Sequence, residues 1–523
     1  MARNWTPAQR AAIDTRGQTL LVSAAAGAGK TASLTERIIR RLTDPESPAE
    51  ISRMLVVTFT RAAASELRER ISAALSDALS LTPTSKHLSR QLIALSEARI
   101  STIDSFFADV VRSNFSALGL PPKFRMADSA ELSVLKFSVM NEIIEALYKK
   151  GSEYGHFFDH FSSVRSDREL ASVFLSLYED LTRHPDGIEF LRKNADALRN
   201  GAEKDYFSTP FGEASAKSTE ELLLAMIAVY SSALESCEKD DAMKEAYAKC
   251  FSDEFSFCRV LLETIRTRRY GEARELIQEY ESDRIPAIKR GCATPESDFY
   301  KTLRADFNKK LKKLKETRFL LFETDISRAM TESAEVSLML SELLHLYDER
   351  IREEKLRRSI CDFDDIRRYT YQLLVSKDGS PTPLAVSYSE RFDEIYIDEY
   401  QDVDSVQDLI FSAIAKPNNR FMVGDIKQSI YGFRGANPSV FASYRASFPT
   451  HGTPDAEGSD TAAIYMSNNF RCDPPVIDFV NLVCGNLFST CTGGLAYRKE
   501  DDLIASKTLP EGVTPSPVEV IVL

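Results

Sequence analysis

The sequence predicts an α/β fold: a parallel sheet with helices on its faces, interrupted by a large α-helical insertion. Three observations carry this. An apolar run, Thr19-Leu20-Leu21-Val22, leads into a glycine-bearing turn and then a helical pattern. A second run, Met54–Phe59, is again followed by a helical pattern, from about Ala62 to Leu79, the rhythm of parallel strands joined by helical crossovers. Strand signals then vanish from about Asp128 to Arg358 and return at Arg391–Ile397 and Arg420–Val423.

The first turn, residues 24–31, reads Ala24-Ala25-Ala26-Gly27-Ala28-Gly29-Lys30-Thr31. Gly27 and Gly29 let the backbone turn sharply and aim its N–H groups at phosphate oxygens. Lys30 supplies a positive charge to β- and γ-phosphates, and Thr31 offers a hydroxyl to Mg²⁺. The helix expected over Ala32–Leu42 points its positive N-terminal end at the same anion. The general pattern asks for glycine at 24, where this chain has alanine. Read alone, the loop is a phosphate site or an Ala/Gly-rich turn.

The strand ending at Ile397 runs into Asp398-Glu399. A carboxylate at a strand's C-terminal end can hold Mg²⁺, and a neighbouring one can take a proton from an attacking water. A lone Asp-Glu pair is commonly a solvated turn. Beside a phosphate loop it reads as the second half of one nucleoside triphosphate site, split by the insertion.

Within the insertion, Leu132, Leu135, Val139, Ile143 and Leu147 recur at helical spacing, as do Leu170, Phe174, Leu177 and Leu181. The second run stops at His184-Pro185-Asp186-Gly187. Leu303–Arg358 reads as almost unbroken helix. Its basic stretch Lys309–Lys315 fits a solvated helix face or a contact with a duplex backbone. His156 and His160 have helical i, i+4 spacing, but Phe157 stands where a zinc-protease pattern needs Glu, so no metal site is expected there. A loop at Pro449–Asp460 is followed by a strand over Ala463–Met466, and Val518–Leu523 reads as a terminal strand, an odd place for a natural chain to stop.

Composition narrows the class. The 523 residues leave room for three or four domains. No apolar stretch is long enough to span a membrane, and Met1–Trp5 lacks the apolar core of a secretion signal. The eight cysteines are scattered without a C-x-x-C pair, the usage of a reduced cytoplasmic protein. A formal net charge of −12 excludes a general polyanion-coating surface, so any nucleic-acid site must be a local groove.

Five further clusters flank these halves: Trp5–Gln9, where Gln9 has an amide able to pair with adenine; Thr58-Phe59-Thr60-Arg61; Ser101–Phe106; Val423–Ala436, containing Gly-Asp-Ile-Lys-Gln-Ser-Ile-Tyr-Gly-Phe-Arg-Gly-Ala; and Asn468-Asn469-Phe470-Arg471. With Asp398-Glu399-Tyr400-Gln401-Asp402 and the order of the motifs, the chain closely resembles the UvrD/Rep-like branch of superfamily 1 DNA helicases. In that branch the loop reads A-x-x-G-x-G-K-T, which Ala24 fits. Within it the chain is most similar to the A-subunit of AddAB-type ATP-dependent helicase/nucleases, with the RecB type second. Cys361-Asp362-Phe363-Asp364-Asp365 adds to this impression. The resemblance covers both ends of the chain; residues 128–350 match only as a helical insertion.

The resemblance implies a RecA-like P-loop NTPase sheet, with these boundaries: 1–127 and 356–448 form the first motor domain, 128–355 the α-helical insertion, and 449–523 the truncated start of a second motor domain. It implies ATP and Mg²⁺ as ligands. Gln9 would read adenine and Phe470 stack on it. Residues 24–31 would hold the phosphates, Thr31 and Asp398 the metal. Glu399 would activate water, Gln428 sense the γ-phosphate, and Arg471 reach across from the second domain as an arginine finger. Phe59, Thr60, Arg61, Thr102, Tyr431 and Phe433 would line a single-strand track. The family often has Trp at 433 and His at 104, where this chain has Phe433 and Asp104. The implied activity is 3′→5′ translocation on single-stranded DNA and unwinding of duplex DNA, in double-strand-break repair by homologous recombination, with an AddB-like partner. Two later family motifs and a nuclease are not found before Leu523, so the chain resembles an N-terminal part. A nucleotide-gated DNA clamp without robust turnover is the alternative. A small-molecule kinase is a third class, against which the aromatic clusters and Arg471 argue.

Overall fold

A computed structural model describes residues 4–161, 166–488, 495–507 and 518–521. They form two compact units. The first takes in the chain up to Gly151, Phe161–Gly187, and Leu346 onwards; the second comprises Ser152–His160 and Ile188–His345.

The first unit is built on strands β1 (Thr19–Ala24), β2 (Met54–Thr58), β3 (Arg99–Thr102), β4 (Arg125–Met126), β5 (Ile360–Cys361), β6 (Glu394–Ile397), β7 (Arg420–Gly424), β8 (Thr461–Met466), β9 (Asn468–Asn469) and β10 (Ile504–Ala505). Six of them form one parallel sheet in the order β3-β2-β6-β7-β1-β8. Helix α1 (Pro7–Asp14) precedes β1, and α2 (Lys30–Leu42), α3 (Arg61–Leu81), α4 (Lys86–Ala94) and α5 (Ile103–Ser113) follow the early strands.

A parallel sheet is covered on both faces, so its central strands are apolar throughout. β1 and β2 are buried at every position. Alternate residues serve opposite cores. Leu21, Leu55, Val57, Ile395, Ile397 and Met422 pack with Phe106 and Phe107 of α5. Leu20, Val22, Val56, Tyr396, Phe421 and Val423 pack with Leu34 and Ile38 of α2 and Leu67 and Ile71 of α3. The buried stripe of α2 is Leu34, Ile38 and Leu42; that of α3 is Ala64, Leu67, Ile71 and Leu75, the spacing of one helical face.

The strand expected near 463–466 is β8, which pairs with β1 over six residues, Thr19↔Thr461 to Ala24↔Met466. Helices Ser129–Tyr148 and Asp167–Thr182 belong to the first unit, tied there by a buried ionic cluster. Lys355 Nζ donates to Asp362 and Asp365, both at 2.8 Å. Lys136 pairs with Glu179 at 2.8 Å, and the Tyr178 hydroxyl donates to Asp348 at 2.5 Å. β4 and β5 pair in parallel just outside these helices and close the base of the excursion.

The second unit is helical. Helices Pro210–Cys237 and Asp241–Arg266 pack together, with Tyr230, Phe251, Phe307 and Leu311 in the core. The pattern over 303–358 is broken into Pro295–Glu316 and Glu323–Arg357; between them the Tyr270 hydroxyl donates to the carbonyls of Arg318 (3.0 Å) and Leu321 (2.9 Å). Lys309 and Lys312 lie exposed beside Asp306 and Glu316. Among the described residues no group of three or more metal-ligating side chains occurs, and no helix is long and apolar enough to cross a membrane. The seven described cysteines are free. Residues 518–521 are not in a strand, because no described neighbour pairs with them; 522 and 523 lie outside the described residues.

Candidate nucleotide and DNA site

Every predicted site residue of the first unit except Gln9 lies at or just beyond the C-terminal edge of the six-stranded sheet, where open α/β sheets place their ligands. β1 delivers the 24–31 loop, β6 delivers Asp398 and Glu399, and β7, standing between them, delivers Gln428. β8 runs on into β9, which is followed by Phe470 and Arg471. On the far side β2 delivers Phe59, Thr60 and Arg61, and β3 ends in Thr102.

The two halves of the triphosphate reading meet. Lys30 Nζ lies 2.8 Å from Glu399 Oε2. Gly27 and Gly29 both adopt the left-handed region, φ 73° and 81°, so the loop cannot be built from other residues without strain. Gly29 is the residue before α2, and Lys30 and Thr31 open that helix, whose N–H groups are thus turned towards the loop. Helix formation begins two residues earlier than the sequence pattern indicates, because Gly29 supplies the turn.

Asp398 is 7% exposed. Burial, then the Glu399 carboxylate, pushes its carboxyl up to about 6. A cation placed beside it would relieve that cost. The buried carboxylate and the Thr31 hydroxyl are hard oxygen donors, which fits Mg²⁺. Glu399 is one of three described non-glycine residues with positive φ, at 52°, a strained conformation of the kind concentrated at functional sites. Gln428 donates from Nε2 to Asp425 Oδ2 at 2.6 Å, and Asp425 is 1% exposed.

Gln9 lies against the loop rather than open to it. Its Nε2 donates to the Ala28 carbonyl at 2.9 Å, and its Oε1 accepts the Thr6 N–H at 2.9 Å. One N–H and one lone pair remain for an adenine edge.

Arg471 lies close to the phosphate loop through the backbone that follows β9. It comes two residues after β9, which pairs with β10, and is held to the phosphate loop by Asn469. Asn469 Nδ2 donates to the Ala26 carbonyl at 2.6 Å, and its Oδ1 accepts the N–H groups of Arg471 (2.9 Å) and Cys472 (2.8 Å). The Phe470 N–H donates to the Gly27 carbonyl at 3.2 Å. A Cβ on Gly27 would lie 3.0 Å from Asn469 Nδ2 and 3.1 Å from Arg471 Cβ. Phe470 and Arg471 are exposed.

The aromatic residues form a ladder. Phe59 and Tyr431 have ring centroids 4.8 Å apart at 30°, and Tyr431 and Phe433 are 5.9 Å apart at 46°. Phe433 is 74% exposed and continues the ladder at the surface. Phe59, Arg61 and Thr102 share a cleft of about 530 Å³ with Asp104 and Phe363. The hydroxyls of Thr60 and Thr102 cap α3 and α5, which leaves Arg61 exposed at a helix N-terminus.

Sequence reasoning missed Asn469, Gln401 and Asp402. Gln401 and Asp402 sit inside the quoted acidic motif, and Asn469 beside Phe470; each was legible as polar, but burial was not. Gln401, Asp402 and Asn469 are 2%, 6% and 2% exposed.

A parallel sheet with a glycine-turned phosphate loop on one strand and a carboxylate pair two strands away is the P-loop NTPase arrangement. Residues 5–449 match the UvrD/REP helicase N-terminal domain, and the chain belongs to that family. Similar curated proteins include the A-subunit of the ATP-dependent helicase/nuclease of Acetivibrio thermocellus, 35% identical over 95% of this chain and 40% of the relative. The same-named proteins of Lachnoclostridium phytofermentans and Moorella thermoacetica are each 35% identical, over 97% of this chain and 37% of the relative. The chain thus spans about two fifths of the length of these relatives.

Proposed function

We propose that this chain is the ATP-hydrolysing motor portion of a DNA helicase–nuclease. It translocates 3′→5′ along single-stranded DNA, opens duplex DNA ahead of it, and serves double-strand-break repair by homologous recombination in the cytoplasm, paired with an AddB-like partner. The observation that carries the reading is the contact of Lys30 with Glu399 on the same sheet edge as the Phe59–Tyr431–Phe433 ladder. The names of the relatives support the helicase–nuclease assignment.

In this reading Lys30 and the loop N–H groups bind the β- and γ-phosphates of ATP. Glu399 accepts a proton from the attacking water. Asp398 and Thr31 hold Mg²⁺, which neutralises phosphate charge. Arg471, fixed to the loop by Asn469, faces the γ-phosphate; an arginine in this role is worth roughly 10³–10⁵ in turnover. Gln9 and Phe470 take the adenine, and Gln428 reports the γ-phosphate to the β7 exit. Bases stack on the ladder, each contributing about 1–3 kcal/mol without sequence preference.

Steady-state ATPase with and without poly(dT) tests this on the parent, Lys30→Ala and Phe433→Ala. Poly(dT) stimulates the parent. Lys30→Ala abolishes turnover, and Phe433→Ala weakens poly(dT) binding by roughly tenfold and lowers stimulation. Stimulation retained in both variants contradicts the reading.

A further inference from the structure

Glu399 is held in its strained backbone conformation with its side chain against Lys30. Its other side-chain partner is the buried Gln401. Building on the ATPase reading above, we propose that Gln401 is the positioning residue through which the aromatic track sets the catalytic base Glu399.

Gln401 is 2% exposed, and both polar atoms of its side chain are engaged. Nε2 donates to Glu399 Oε2 at 2.9 Å and to Asp402 Oδ2 at 3.2 Å. Oε1 accepts the Asp425 N–H at 2.9 Å, and the backbone carbonyl accepts the Ser429 hydroxyl at 3.2 Å. A Cβ on Gly424 would fall on Gln401 Oε1, so glycine at the end of β7 is a condition of this contact.

Lys30 and Gln401 both donate to Oε2 of Glu399. Together they fix the rotation of the carboxylate and assign Oε1 to the incoming water, which is how a general base is held in reach of its proton. On its other side Gln401 meets two parts of the segment that follows β7. Asp425 carries Gln428, and Ser429 stands two residues before Tyr431, whose ring lies against Phe59. A base that stacks on these rings displaces 429–431. The shift reaches Gln401 through the Ser429 hydroxyl and the Asp425 N–H, and its amide re-aims Glu399. DNA-stimulated turnover is the expected result.

Gln401→Leu keeps similar bulk and removes every side-chain hydrogen bond. The expected result is a fall of about tenfold in poly(dT)-stimulated kcat, the loss of one hydrogen bond to a charged group, with the Kd for a fluorescent ADP analogue and for poly(dT) unchanged. Adding Tyr431→Ala lowers stimulated kcat no further, because residues on one path are not additive. Ser429→Ala removes only the hydroxyl link and lowers stimulation by itself, which keeps the test available if Gln401→Leu does not fold. Parent stimulation that survives in both variants overturns the coupling alone. A parent chain with no poly(dT)-stimulated turnover overturns the underlying ATPase reading and the coupling with it.

Discussion

Asp402 shows what a single buried carboxylate does in this site. Its Oδ1 is buried without a hydrogen-bond partner, while Oδ2 accepts from Gln401. Burial, then the Glu399 charge, pushes its carboxyl up to about 6 from 3.8. Between those values the folded form binds more protons than the unfolded form, so stability from this group falls as pH rises through that window. The ionised form at neutral pH is therefore a cost to the fold. Asp402→Asn is expected to melt at a higher temperature than the parent at pH 7.5, with the gap closing near pH 4; thermal melts across that range check it. A gap that is constant with pH contradicts the assignment. The sequence displayed Asp402 as one acid in a run of acids. Its burial comes from the β6–β7 packing and could not be read there. Lys30, Asp398 and Glu399 were legible because their spacing from strand ends is itself the chemistry.

At the scale of elements, the strands with continuous apolar runs were legible, and β3 was not. Its four residues, Arg99-Ile100-Ser101-Thr102, bury fully only Ile100, since an edge strand has little apolar surface to announce it. β8 was legible as a strand, but its partner was not, because periodicity says nothing about which neighbour a strand chooses. Pairing with β1 puts β8 and β9 beside the phosphate loop, and the Asn469 clasp is the outcome. Asn469→Ala leaves the Ala26 carbonyl and two backbone N–H groups short of partners. It is expected to destabilise the first unit by about 2 kcal/mol and to weaken ATP binding, read by denaturant melts and fluorescent-nucleotide titration. Asn469→Asp keeps the acceptor side and should fall between the two. Equal nucleotide affinity in all three would contradict the clasp.

For the whole molecule, one sheet edge carries both sets of residues: the phosphate loop after β1 and the acids after β6, and an aromatic ladder in which Phe59 after β2 meets Tyr431 and Phe433 after β7. The helical excursion was legible as helix, but its root was not. Lys355, Asp362 and Asp365 bury their charges together there, and burial of charged side chains leaves no trace in an apolar pattern. Everything functional here requires that the loop of β1 and the acids of β6 serve one hydrolytic site. Turnover and nucleotide affinity of Glu399→Gln, measured side by side with the parent, probe that requirement without an intermediary. A fall of about 10²-fold or more in kcat with affinity for ATP retained is expected; parent-level turnover in Glu399→Gln would contradict it.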